Sequence, residues 1–322
     1  MQTRTSRTSP LFKLFAGGLF AVAATLAGHD ALSDTPAAPR EVTPTGPGFA
    51  GVYGVVPPDQ AESLSSPDAI KSAALSGAPT RVWEALEHGE KIECLDCIAT
   101  VAPLLYNNNA KTREIAAWWL RRRVFGVFGD GEVYSQTIQR LQADPNPVYR
   151  ADAAYALGEF FATPGIAACA QAIKVDTDAG VRAAAASALG RLNDDGAGAL
   201  AQALADSDPG VALASLASIS RINSFSGMSN IAALTGNANA SVRQRAVEVL
   251  DALDVSESVD VVAAAAKNDT AASVRAAACH ALGTFGVATS GDASAMAVLQ
   301  DLANKDADTF VRDQAQIALQ RL

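Results

Sequence analysis

From residue 112 onward, apolar positions recur three and four apart in segments of about a dozen residues, each followed by a polar break. In "VRAAAASALGRL", which begins at Val181, the side chains Val181, Ala185, Ala188, Leu189 and Leu192 share one stripe of a 3.6-residue helix. Ala183, Ser187 and Gly190 form the opposite stripe. The same phase returns in "TREIAAWWLRRR" from Thr112, "YRADAAYALGEF" from Tyr149, "VALASLASISRI" from Val211, "VRQRAVEVLDAL" from Val242, "VRAAACHALGTF" from Val274 and "VRDQAQIALQRL" from Val311. Between these lie amphipathic helices such as "GEVYSQTIQRLQ" from Gly131 and "ASAMAVLQDLAN" from Ala293. Seven copies at intervals of 30 to 37 residues predict an all-α, right-handed α-solenoid of about seven helix pairs over residues 67–322. Helices over 68–75 and 80–90 would cap its N-terminal end.

Two columns fix the register. Arg113, Arg150, Arg182, Arg243, Arg275 and Arg312 occupy one position, with Ala212 in the remaining copy. Six residues earlier stand Asn107, Asp144, Asp176, Asp206, Asn237, Asp269 and Asp306. Such residues suit turns and can cap the following helix, and the two columns could bond within or between repeats. A repeating column reads as structural rather than as a ligand cluster.

The pattern Asp-x5-Arg-x2-Ala-Ala-x2-Ala-Leu-Gly resembles the HEAT-like repeats named after phycobilisome lyases, over residues 92–322. The resemblance implies a stack of helix pairs, and it carries one functional alternative, a lyase or chaperone acting on a chromophore-bearing partner. The chain departs from the pattern at Ala212, and at Arg121, Ser220, Asp251 and Gln320, which replace the glycine. The fourth and fifth copies should therefore stack less regularly.

The first 33 residues read as a secretion signal: Arg4, Arg7 and Lys13, then thirteen apolar residues over 14–26, then Ala31 and Ser33 for cleavage. Thirteen is short for a membrane span, so no membrane insertion is expected after cleavage, and the mature chain would be periplasmic or extracellular; an uncleaved membrane anchor is the alternative. Residues 34–66 are proline-rich and aperiodic, which makes them a linker. The chain carries a formal charge of −9, and loss of the signal's three cations and one acid leaves about −11. That balance argues against nucleic acid and anionic membranes as partners.

Second helices line the concave side in proteins of this kind, so their outward stripe predicts a groove. It presents Glu114, Trp118 and Arg121, then Ala151, Tyr155 and Gly158, then small residues, then Glu248, Asp251 and His280. Trp119 falls on the core stripe, and Arg123 should lay its stem across apolar surface. Exposed Trp beside Arg is the composition of a recognition hot spot, which makes Trp118, Arg121, Arg122 and Tyr155 the candidate partner-binding residues. Burial of Trp118 under the N-terminal arm, Phe125 or Phe128 is the alternative.

Cys94 and Cys97 in "IECLDC" would form a local disulfide in an exported protein. Free thiols, a metal pair or a thiol-redox pair are the other readings. Cys169 and Cys279 lie about three helix layers apart and are expected to be buried, unbridged hydrophobes. With no catalytic constellation, no metal set and no cofactor motif in the sequence, the expectation is a non-enzymatic scaffold that binds a partner protein or peptide in its groove.

Overall fold

The computed structural model describes residues 65–123, 131–160, 164–192, 196–222, 225–288 and 293–322. The expected secretion signal and nearly all of the expected linker lie outside these residues, as do Phe125 and Phe128. Among the described residues every regular element is helical. A first pair, α1 (Pro67–Ser76) and α2 (Pro79–His88), stands where capping helices were expected, and Ser66 caps α1 by accepting the Ala69 N–H at 3.1 Å.

Seven further pairs follow. They are α3 (Leu95–Val101) with α4 (Ala110–Arg122), α5 (Glu132–Ala143) with α6 (Pro147–Phe160), and α7 (Pro164–Val175) with α8 (Ala179–Leu189). Next come α9 (Ala197–Ala203) with α10 (Pro209–Ile219), and α11 (Met228–Ala233) with α12 (Ala240–Ala252). The array closes with α13 (Val259–Asn268) and α14 (Ala272–Ala288), then α15 (Ala293–Lys305) and α16 (Thr309–Leu319). Each helix packs on its partner, and each second helix packs on the next second helix, from α4 through α16. One apolar cluster runs from Ile70 to Ala318.

The turn before each second helix is built by two polar residues in tandem. The Asp or Asn of the acid column accepts the N–H two residues on, as Asp176 does from Asp178 and Asp206 from Asp208, both at 2.9 Å. Except in the sixth repeat, where Ala271 stands, that second residue is the actual cap. Asn109 accepts from Lys111, Asn146 from Val148, Asp178 from Val181, Asp208 from Gly210, Asn239 from Ser241, and Asp308 from Phe310. The expectation that the column itself caps the helices is thus corrected by two residues. The column carboxylate is needed elsewhere.

It is needed by the arginine of the preceding repeat. Arg150 grips Asp176 with Nε and Nη2, both at 2.8 Å; Arg182 grips Asp206 at 2.6 and 2.9 Å; Arg243 grips Asp269 at 2.6 and 2.8 Å; Arg275 grips Asp306 at 2.7 and 2.8 Å. The third nitrogen, Nη1, donates to the carbonyl of its own turn, for instance Asp144 or Asp176. Each rung therefore ties two repeats with a two-pronged, charge-assisted bond. At the ends the pattern stops. Asp144 takes Arg140 instead, Arg113 donates to the Asn107 and Asn108 carbonyls, and Arg312 donates to the Asp306 and Ala307 carbonyls.

The arginine bond holds Asp206, Asp269 and Asp306 below the usual carboxylate range. At Asp176 burial pulls upward, but Arg150, the Asp178 N–H and Arg182 together outweigh it. A carboxylate lowered in the folded state stabilises it above the unfolded value, near pH 4, and that stabilisation is lost as pH falls through the lower folded value. Urea midpoints should accordingly stay level between about pH 7 and 5 and drop below about pH 4. Asp206→Asn should lower the midpoint at pH 7 and flatten the acid limb. An unchanged limb would remove the rungs from the account.

Second helices approach closely because small residues meet at fixed positions. A Cβ on Gly190 would stand 2.5 Å from Ser218 Cβ and 2.7 Å from its Cα, and one on Gly158 would stand 2.9 Å from Ala188 Cα. Gly158 and Gly190 are buried in these contacts, so they leave the outward stripe to which helical phase assigned them. Gly-to-Ser replacement puts Ser220 opposite Val249 by register, and there α10 and α12 pack less extensively than the other second-helix neighbours beyond α6. The same junction lacks a rung, because Ala212 stands for the arginine and Asn237 for the aspartate. Lower regularity at the fourth and fifth repeats was expected from those residues.

Candidate functional site

The second-helix face presents two chemically distinct ends. At the first, α4 carries Trp118, Arg121 and Arg122, and α6 carries Tyr155. Trp118 is half-buried and packs on the core cluster, so it is less available than phase alone suggested. Tyr155 is 36% exposed and its ring takes the Arg113 guanidinium at 5.0 Å. Arg121 is half-buried, and Arg122 forms an ion pair with Glu90. Helices α4 and α6 pack on each other, which places these residues on adjacent helices.

Arg123 is not the snorkelling side chain the sequence suggested. It is 3% exposed, its guanidinium lies 3.5 Å from the Trp119 ring centroid, and Nη1 donates to the Trp119 carbonyl at 2.8 Å. Nη2 donates to the carbonyls of Gly89, Glu90 and Ile92 at 3.2, 2.9 and 2.6 Å. The turn after α2 ends in those carbonyls, and they draw the head inward rather than toward water. Burial lowers the Arg123 pKa to about 10, with Arg122 adding to the fall and Glu93 opposing it. Trp119 is fully buried, as its phase indicated, and its Nε1–H also donates to the Gly89 carbonyl at 3.1 Å. Two of the three consecutive arginines thus hold α4 to the segment after α2.

Cys94 and Cys97 are joined by a disulfide across the first turn of α3, with Cα atoms 5.3 Å apart. Cys169 and Cys279 are buried free thiols, and burial pushes each up to about 12. Such thiols are inert as nucleophiles near neutral pH.

At the other end, α12, α14 and α16 enclose a cavity of 260 Å³ lined by Gln244, Glu248, Asp251, Ser273, Ala276, Ala277, His280, Phe310 and Gln314. Arg321 Nη1 donates to His280 Nε2 at 3.1 Å, which leaves the Nδ1–H to donate to Asp251 Oδ2 at 2.8 Å. Gln244 and Arg245 both donate to Glu248, at 2.8 and 3.2 Å. The outward stripe identified Glu248, Asp251 and His280 one by one. It could not show that they converge, because Phe310 and Gln314 arrive from α16, some 30 residues beyond His280, and Arg321 from just past its end. The middle repeats present Ala183, Ser187, Leu213 and Ala217, all half-buried and chemically mute.

A family model described as HEAT repeats matches residues 134–224 and 229–320, more than half of the chain. The break between the two matches falls at the junction that lacks a rung. No curated protein matches the chain. Among solved structures, Kap95p in a complex with RanGDP is 13% identical, with a TM-score of 0.55, covering 80% of this chain and 40% of that one. Importin beta is 14% identical, with a TM-score of 0.54 and coverage of 81% and 42%. The phycocyanin lyase complex of CpcE and CpcF from Nostoc sp. PCC7120 is 17% identical, covering 70% of this chain and 94% of that one, with a TM-score of 0.37.

Proposed function

Because the chain belongs to the HEAT-repeat family, we propose that it is a non-enzymatic scaffold of the bacterial cell envelope that binds another protein or peptide along its second-helix face. The observation that carries this reading is the graded character of that face: aromatic and basic groups on α4 and α6, small residues between, and a polar cavity between α12 and α16. Concave faces of stacked repeats are extended binding surfaces. A face that only packed against solvent would not need chemically distinct ends. Location in the envelope is supported by the sequence of residues 1–33 and by a disulfide between Cys94 and Cys97.

The aromatic end supplies the main anchor in this reading, on Trp118, Arg121, Arg122 and Tyr155. A partner segment with acidic or aromatic residues suits it. Pull-down from envelope extract, repeated with Trp118→Ala and Arg121→Glu, tests it. Each substitution should cost about 2 kcal/mol of affinity, close to thirtyfold. Affinity within about threefold of wild type for both, in folded protein, would discard this anchor.

A further inference from the structure

The cavity between α12 and α16 has a composition that selects a ligand. Its charged lining groups are the carboxylates of Glu248 and Asp251, three apart on α12 and so on one face of that helix. Around them stand neutral groups: the Gln244 and Gln314 amides, the Ser273 hydroxyl, and a His280 ring that serves both as donor to Asp251 and as acceptor from Arg321. Asp251 keeps one oxygen, Oδ1, without any hydrogen-bond partner, although it is shielded from solvent. Phe310, 58% exposed, stands at the edge of the cavity.

The cations nearby do not neutralise the site in a fixed way. Arg245 reaches Glu248 across a pair whose side chains are 36% and 38% exposed, and such pairs are weak. Arg321 addresses the imidazole of His280. Two carboxylates on one face, an unused acceptor oxygen and an exposed aromatic ring make a receptor for a planar, multi-donor cation.

We propose that this cavity receives an arginine side chain of the partner segment. The guanidinium bridges the carboxylates of Glu248 and Asp251, and its stem lies against Phe310. This rests on the scaffold reading and adds direction to it: the groove takes acidic or aromatic groups at α4 and α6, and a basic residue at α12 to α16. The bound segment would therefore run in one sense only.

The test uses the full chain with isotope-labelled histidine, which carries only His29, His88 and His280. The probes are Ac-Gly-Arg-Gly-NH2, its citrulline counterpart, which has the same shape without charge, and its glutamate counterpart. The arginine peptide should move the His280 imidazole resonances saturably, with a Kd on the order of 1 mM, and leave His88 in place. Citrulline in the peptide, or Glu248→Gln with Asp251→Asn in the protein, should weaken binding at least tenfold. Citrulline within about threefold of arginine, or a His280 signal that does not saturate, overturns the proposal. If His280 stays still while wild-type protein captures a partner that Trp118→Ala loses, the arginine site falls and the scaffold reading stands. If His280 saturates but Trp118→Ala and Arg121→Glu cost nothing, the arginine site stands and the aromatic anchor falls.

Discussion

Replacing Arg123 by methionine is expected to destabilise the protein by about 3 kcal/mol, the largest effect among single substitutions outside the apolar core. The guanidinium serves four carbonyls at once, those of Trp119, Gly89, Glu90 and Ile92, in a setting that is 3% exposed. Methionine fills similar space but donates nothing; the Gly89 carbonyl keeps the Trp119 Nε1–H, while the Glu90 and Ile92 carbonyls lose the guanidinium at about 1–3 kcal/mol each where water cannot follow. Arg123→Lys keeps a charge but cannot fan out to four acceptors, and it should recover less than half of the loss. Arg122→Met supplies the contrast. Its ion pair with Glu90 joins side chains 54% and 33% exposed, and its removal should cost under about 1 kcal/mol. Urea unfolding followed by tryptophan emission reads both, and hydrogen exchange shows whether α1 and α2 loosen first. Equal losses for Arg122 and Arg123 would contradict the division of labour between them.

Gly190→Ala should cost about 2 to 3 kcal/mol, although alanine favours helix over glycine by about 1 kcal/mol. The added methyl would meet Ser218 Cβ and Oγ at 2.5 Å and its Cα at 2.7 Å, so α8 and α10 must part. Their parting also strains the bond from Ser218 Oγ to the Ala186 carbonyl, now 2.9 Å. Adding Ser218→Gly should recover part of the loss, because Cβ and Oγ disappear while Cα remains. Gly198→Ala is the control: nothing lies within 4 Å of its Cβ, and it should be neutral or stabilise slightly. Thermal midpoints of the wild type and the three variants settle the order. A Gly190→Ala protein as stable as Gly198→Ala would show that close approach of the second helices is not what fixes this glycine.

Periodicity made the helix pairs and their number legible, because an apolar stripe every 30 to 37 residues has few other physical meanings. The columns were legible as positions but not as bonds. Sequence could place Arg182 six residues after Asp176, yet it could not say that Arg182 reaches forward to Asp206 while Asp176 receives Arg150. That choice depends on how far one repeat sits from the next. Helical phase also misplaced Gly158 and Gly190, and the expectation of a snorkelling stem misplaced the head of Arg123. In each case a second neighbour, an adjacent second helix or a turn after α2, covers a side that a lone helix would leave open. The cavity near His280 escaped for the related reason that its lining comes from three repeats.

The forward reach of each arginine has a thermodynamic meaning. A rung couples one repeat to its successor and to nothing else, so the array behaves as a row of units joined by nearest-neighbour energies. Two such couplings act on the segment from α6 to α10, and two more join α12 to α16, but Ala212 and Asn237 leave the step between them without one. Cooperativity is then shortest at that step. Local opening of the stack begins there, and the two stretches on either side, one bearing the aromatic end of the face and one bearing the polar cavity, are the units that survive it.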